Sequence, residues 1–432
     1  MPAVAQTLAW VSKPIEFMDR CRARLGDNFS VMFVGFETPM VLISDPEAIA
    51  AVFKGASNGL PPGRSLTLEP IVGRRSVLLL EGREHLSRRK LMLPPFHGER
   101  MRAYEDTVRE AIDREIESWP IGEPFAIHPR MQAVTLEVIL RAVFGVSDPE
   151  RRAALSELLG TLLDETSGPG LQLRFLLSRR TSRVADPLVE LKRSLERVYA
   201  LLDLEIEERR SDPRLAERED ILSMLVAARF EDGEPIDDAE IRDQLITLLL
   251  AGHETTATAL AWSFDLLLRN RSVLDRLREE IAAAESDAYL RATITEALRL
   301  RPVIPLAGRR LADDLEVGDL RLPAGTDVSP AIWLTHTRAD LYPDPLAFRP
   351  ERFLDAGPET YGWIPFGGGI RRCLGAAFAE FEMRIVLGEV LARCELTGAR
   401  SRPERIARRN ITFSPRRGTP VVLSARPTGG PG

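Results

Sequence analysis

Cys373 stands near the end of a run of unusual composition, Phe366-Gly367-Gly368-Gly369-Ile370-Arg371-Arg372-Cys373-Leu374-Gly375. Three successive glycines permit a tight turn with close backbone approach, which suits a loop pressed against a flat partner. A cysteine at the start of a helix, with Arg371 two residues before it, is driven toward its thiolate, the form that attacks or ligates. The bland alternative for Cys373 is a buried structural thiol, the commonest state of a free cysteine. A phosphate loop competes for glycine-rich sequence before a helix, but it needs Lys-Ser/Thr after its last glycine. Here Gly375 is followed by Ala376-Ala377.

A second constellation, Ala251-Gly252-His253-Glu254-Thr255-Thr256, lies inside Gln244 to Leu268, which is apolar nearly all round as a core helix must be. Gly252 clears space for a ligand, a threonine hydroxyl can bond back to a carbonyl and distort the helix, and the adjacent carboxylate can relay protons. Taken alone, the motif also reads as one polar turn at a packing seam. Glu296 and Arg299, at i,i+3, would by themselves be a surface pair contributing about 0.2 to 0.5 kcal/mol. His85 and Arg89 share one helical face at i,i+4. The other histidines, His97, His128, His253 and His336, show no metal-ligand spacing and read as structural.

These groups need elements to hold them. An amphipathic helix over Lys13 to Leu25 precedes two β-like runs, Phe29 to Val34 and Met40 to Ile43, and Asp45-Pro46 opens another helix. From Gly82 to about Leu300 the apolar spacing is helical, with about eight helices broken at proline and glycine clusters. Short strands follow over Arg309 to Val328, then a proline-rich irregular stretch to Pro365 whose aromatic residues favour an ordered, packed loop. A last helix runs from Gly375 to about Arg393. No repeat is visible, so the expectation is one domain over 1–432. It has a β-containing part at about 27–80, a helical bulk at about 82–300 and the cysteine loop at 366–375.

Composition limits the partners. With 432 residues, 44% hydrophobic and 28% charged, the chain can bury a large core, which excludes intrinsic disorder. A net charge of −6 argues against a protein that coats nucleic acid. The longest strongly apolar run, Leu245 to Gly252, is eight residues, far short of the roughly 18 to 20 that span a bilayer. The N-terminus lacks a basic n-region, so neither a signal peptide nor a membrane anchor is expected and the location is expected to be cytoplasmic. Three cysteines, Cys21, Cys373 and Cys394, are too few for a disulfide framework.

The cysteine run resembles the haem-binding loop of the cytochrome P-450 family at Phe366, Gly369, Arg371, Cys373 and Gly375, and the helix motif resembles the family's oxygen-activation motif in full. The resemblance extends from about Ile15 to Phe413 and implies a mainly α fold with a large helical region and small β-sheets. It implies haem b as cofactor, with Cys373 as the iron ligand and Glu254 and Thr255 as the catalytic acid and alcohol, near Gly252. Glu296, Arg299 and Arg352 resemble the family's structural Glu-Arg-Arg network. His85 and Arg89 resemble its propionate-binding helix, with Arg309 and Arg371 completing the cationic set. Family topology suggests Leu248, Ala251, Val303, Leu306 and Phe413 as substrate contacts, within segments that include the loop from Leu60 to Leu80 and the tail loop near Ile411.

The implied activity is monooxygenation: one oxygen atom of O2 enters an apolar small molecule, such as a fatty acid, terpenoid or steroid, by hydroxylation or epoxidation. No flavin or iron–sulfur module is fused, so electrons are expected from a ferredoxin and its reductase, approaching cations such as Arg88, Arg102 and Arg372. The rivals are a peroxygenase using hydrogen peroxide, whose known representatives lack the acid and alcohol pair, and a haem sensor or carrier without turnover.

Overall fold

The computed structural model describes residues 1–34, 36, 38–55, 59–60, 64–96, 98–146, 148–167, 189–409 and 411–425. The chain divides into two compact units, each built from separate stretches. One comprises Met1–Pro62, Ile112–Gln132 and Thr255–Gly432; the other comprises Gly63–Ala111 and Ala133–Glu254.

Every sheet among the described residues lies in the first unit. Strand Met40–Ile43 pairs antiparallel with Asn28–Val31 and parallel with Asp327–Pro330, which in turn pairs antiparallel with the edge strand Arg309–Arg310. The sheet leads into helix Pro46–Lys54, whose start is set by Pro46 at its first position and by the Asp45 carboxylate accepting the Ala48 N–H at 3.0 Å. Ile406–Arg409 and Thr412–Pro415 form a hairpin, and Pro420–Ala425 lies between Pro124–Ala126 and Glu395–Gly398.

The helix expected over Lys13 to Leu25 is present as Pro14–Leu25, and a further helix, Ala3–Ser12, precedes it. Pro14 has no N–H to continue the first and displaces Lys13 from helical geometry. The extra helix buries Trp10 among Phe17, Phe33 and Phe413, with ring centroids 5.6 Å apart for Trp10–Phe33 and 5.9 Å for Trp10–Phe413.

Deepest in this unit is the pair Glu296–Arg299 on helix Ala288–Leu300, both side chains fully buried and bonded at 2.7 and 2.8 Å. Arg299 also donates to the carbonyls of His336 (2.7 Å), Pro345 (2.8 Å) and Ala347 (3.3 Å). Glu296 accepts from the Arg349 N–H at 2.9 Å and from Arg352 Nε at 3.1 Å. One helix turn therefore holds the irregular stretch that the sequence marked as packed. Glu296 and Arg299, which alone would read as a surface pair and were expected to join Arg352 in a structural network, are completely buried.

The second unit is helical. Helices Pro149–Ser167 and Val189–Ser211 pack together. Buried Arg209 bonds Glu205 and the carbonyls of Phe144 and Gly145. From Gly82 to Leu300 the described residues form nine α-helices, near the expected number. The expected break at Ser167 to Gly170 falls largely outside the described residues. Helix Asp238–Arg269 belongs to both units, the division falling after Glu254. No described helix is long and apolar enough to cross a membrane.

Glu296→Ala should destabilise the protein by about 3 to 5 kcal/mol, because it strands the buried Arg299 charge. Chemical unfolding measures this, and a loss below about 1 kcal/mol would mean that water reaches Arg299.

Candidate functional site

The cysteine loop is shaped by glycine against a neighbour that sequence spacing gave no reason to single out. A Cβ on Gly368 would overlap the Phe53 ring, and one on Gly369, at φ +66°, would overlap the Phe53 carbonyl oxygen. Only glycines let this backbone lie on helix Pro46–Lys54. The Cys373 N–H donates to the Phe366 carbonyl at 2.9 Å, closing the loop, and leaves Cys373 exposed. Helix Ala376–Arg393 begins three residues later, with Gly375 as its N-cap. Cys373 thus precedes the helix rather than opening it, still near its positive end.

Two arginines attend the loop. Arg309, 6% exposed, donates to the Gly368 carbonyl at 3.2 Å, and its guanidinium lies 5.3 Å from the centre of the Phe53 ring. Arg371 lies within the loop, half-buried, in the short 3-10 turn Gly369–Arg371. Phe366 packs edge-on against Trp363, with centroids 5.9 Å apart, and the Trp363 Nε1–H donates to the Thr295 carbonyl.

His336 braces the same region and was read in the sequence merely as structural. Its Nδ1 is 2.9 Å from the Arg299 carbonyl, and its Nε2 is 2.8 Å from the Ile364 N–H. A carbonyl can only accept and a backbone N–H can only donate, so the ring is neutral with its proton on Nδ1. Complete burial pushes its pKa down to about 3. No metal-ligand spacing could have revealed this strut, because its partners are backbone atoms.

The long helix Asp238–Arg269 has two different faces at its polar turn. The Cβ that Gly252 lacks would meet Ile139 Cδ1 at 3.2 Å, and His253 Nδ1 lies 3.0 Å from Thr135 Oγ1. Gly252 thus supplies close helix packing on that side rather than the open space expected of it. Burial pushes the His253 pKa down to about 4. Leu248, Ala251, Gly252, Glu254 and Thr255 retain accessible surface, and Ala251 alone in the helix interior is exposed. Spacing of i, i+3 and i+7 places Leu248, Ala251 and Thr255 on one face.

One turn nearer the start of this helix, Asp243 Oδ2 accepts the Arg75 N–H, Gln244 Oε1 accepts the Val77 N–H, and Thr247 bonds Ser76. The segment 73–77, within the expected substrate loop, is thereby fixed to the helix. Residues 61–63 of that loop, and His97, lie outside the described residues. On helix Gly82–Met92, His85 is buried and Arg89 half-buried.

Two expectations need correction. Phe413 is 1% exposed within the aromatic cluster, and its carbonyl accepts from Trp262 Nε1 at 2.8 Å, so its ring packs the core and does not face a substrate. Its N–H bonds the Val303 carbonyl, and Leu306 packs against the same cluster, so these three tail and turn residues do come together. Arg88 is held by the buried Glu240 at 2.8 Å and stacks on Phe230, so it is not a free cation for a partner. Arg102 and Arg372 are exposed.

A single exposed thiol, with no group of three or more metal-ligating side chains among the described residues, suits a metal whose other ligands arrive with a cofactor. Buried Arg309 and loop residue Arg371 supply the cations that haem propionates require. The donor set fits haem.

The Cytochrome P450 family model matches residues 4–420. "Putative cytochrome P450 135B1" of Mycobacterium tuberculosis (strain ATCC 25618 / H37Rv) is 41% identical over 429 residues, covering 97% of this chain and 89% of that protein. "Putative cytochrome P450 137" of the same strain is 42% identical over 384 residues, covering 88% and 80%. The solved structure "Retinoic acid bound cyanobacterial CYP120A1" superposes with a TM-score of 0.83 at 25% identity, covering 97% of this chain and 96% of that one. "Crystal structure of cytochrome P450DA heme domain" gives 0.82 at 21% identity, covering 98% and 97%, a likeness of fold.

Three buried groups set opposed pH dependences. His253 and His336 stay neutral in the folded chain, so stability falls as pH drops below their ordinary value of 6.5. Glu382, fully buried on helix Ala376–Arg393 with Oε1 unbonded, has its pKa pushed up to about 8. Its contribution is lost as pH rises from its ordinary value of 4.5 toward 8. Unfolding midpoints should therefore peak near pH 6.5, and Glu382→Gln should flatten the alkaline limb. A variant that declines as steeply as the parent would exclude this carboxyl as the cause.

Proposed function

Because the chain belongs to the cytochrome P450 family, we propose that it is a haem-thiolate monooxygenase that inserts one oxygen atom of O2 into an apolar small molecule, by hydroxylation or epoxidation. Haem supplies the oxygen-activating redox chemistry when bound. The observation that carries the reading is the long helix, which keeps accessible surface around Ala251, Glu254 and Thr255 just before the continuously buried run of residues 256–267.

In this reading Cys373 holds the iron as thiolate, with Phe366, Gly369 and Gly375 shaping its loop and Gly252 contributing from the long helix. Arg309 and Arg371, with His85 and Arg89, neutralise the propionates. The half-buried Glu254 carboxylate and Thr255 hydroxyl pass protons inward from solvent, and neither group is consumed. Leu248, Ala251, Val303 and Leu306 contact the substrate, all apolar and so suited to a lipophilic molecule. The retinoic acid of one solved relative, a long unsaturated carbon skeleton, fits that class.

Electrons come from a separate ferredoxin and its reductase, with Arg102 and Arg372 as the available cations of the expected patch. The three unbridged cysteines fit the reducing cytoplasm.

Cys373→Ser should abolish the red-shifted Soret band of the reduced carbonyl complex, and persistence of that band would dismiss Cys373 as the ligand. Thr255→Ala should keep haem and reduction but divert electrons to peroxide, lowering product per NADPH in a reconstituted ferredoxin system. Unchanged coupling would remove the proton role. A parent enzyme that turns over with hydrogen peroxide and not with the electron donors would favour the peroxygenase.

A further inference from the structure

The first unit carries a concave, charged feature that oxygen chemistry does not use. A cleft of about 170 Å³ is lined by Arg400, Arg402, Arg405, Arg416 and Arg417, together with Pro403 and Glu404. All five arginines are exposed, and none makes an ion pair or a side-chain hydrogen bond among the described residues. By contrast, the less exposed Arg209, Arg299, Arg310 and Arg338 each sit on a carboxylate. Glu404, the one carboxylate in the lining, accepts the Arg417 backbone N–H at 3.0 Å and offsets only one of the five guanidiniums. A chain of net charge −6 thus concentrates uncompensated positive charge in one recess.

The recess has a framed backbone. The Ala399 N–H bonds the Pro420 carbonyl at 3.0 Å, and the Arg416 N–H bonds the Arg405 carbonyl at 2.8 Å, at the open end of the Ile406–Pro415 hairpin. Arg269 reaches across to the carbonyls of Ser401 and Arg402 at 3.1 and 2.7 Å. These bonds hold the segments that present the guanidiniums, so like charges are kept together and cannot simply drift apart.

We propose that this cleft binds a small organic polyphosphate of the di- or triphosphate class. Planar guanidinium forks match phosphate oxygens two at a time, and several forks around one recess suit adjacent phosphates better than a single carboxylate. The lining holds no aromatic or aliphatic side chain except Pro403, whereas a protein partner needs an apolar core to its interface. An adjoining cleft of about 410 Å³ shares Arg400 and Pro403 and adds Leu268, Ser401 and Thr419, with the Asp265 carboxylate in its lining paired to Arg269 at 2.8 Å, which provides space for the organic portion.

The folded, haem-loaded chain titrated calorimetrically with inorganic tripolyphosphate, at constant ionic strength, tests the site. Tripolyphosphate should bind one per chain and orthophosphate about tenfold more weakly, and Arg405→Ala with Arg416→Ala should weaken tripolyphosphate by about tenfold. Arg197→Ala, on the exposed surface of helix Val189–Ser211, should leave the affinity unchanged. The double variant's unfolding midpoint without ligand should hold or rise, since two like charges are gone, which separates loss of site from loss of fold. An affinity unaltered in the double variant, or weakened equally by Arg197→Ala, would overturn the proposal. Tighter binding of an oligoglutamate of matched charge would overturn it in favour of an acidic protein partner.

Discussion

Two opposite charges removed from water must find a hydrogen-bond partner for each remaining lone pair and N–H, or the desolvation penalty exceeds their attraction. Glu296 and Arg299 meet that demand by recruiting backbone from far along the chain: the carbonyls of His336, Pro345 and Ala347, the Arg349 N–H and the Arg352 guanidinium. An irregular stretch that repeats no helix or strand pattern is thereby given one conformation. His336 extends the dependence, since its ring spans from the Arg299 carbonyl to the Ile364 N–H, just before the cysteine loop begins. The position of the thiol is thus traceable to an ion pair that never touches it.

The long helix divides its labour by face. Gly252 and His253 serve the packing seam, where Ile139 and Thr135 approach closely, while Ala251, Glu254 and Thr255 keep the accessible surface that chemistry needs. A motif can therefore be both a packing device and a reactive one within a single turn. The two descriptions offered by its sequence are not exclusive.

Legibility followed the range of the interaction. The cysteine run, the Glu254–Thr255 pair and the Glu296–Arg299 spacing are local patterns, and each was visible before any coordinates. Phe53 was not, because a ring that moulds a glycine loop far downstream has no local signature. The helix Ala3–Ser12 was overlooked, although Pro14 marks where the expected helix begins apart from it. Phe413 was misplaced for a subtler reason: an apolar residue near a turn reads equally as pocket or core, and only Trp10, brought by an unanticipated helix, decides for core.

The buried pair has a kinetic corollary. The stretch from His336 to Arg352 has little regular backbone, and a protease cuts where backbone can locally unfold. Here local opening would leave Arg299 charged in a dry interior, so the stretch can detach only when the helix that carries Arg299 also gives way. Irregular chain of this kind should exchange its amide hydrogens as slowly as a core helix, and its cleavage should report opening of a whole cooperative block instead of a frayed loop.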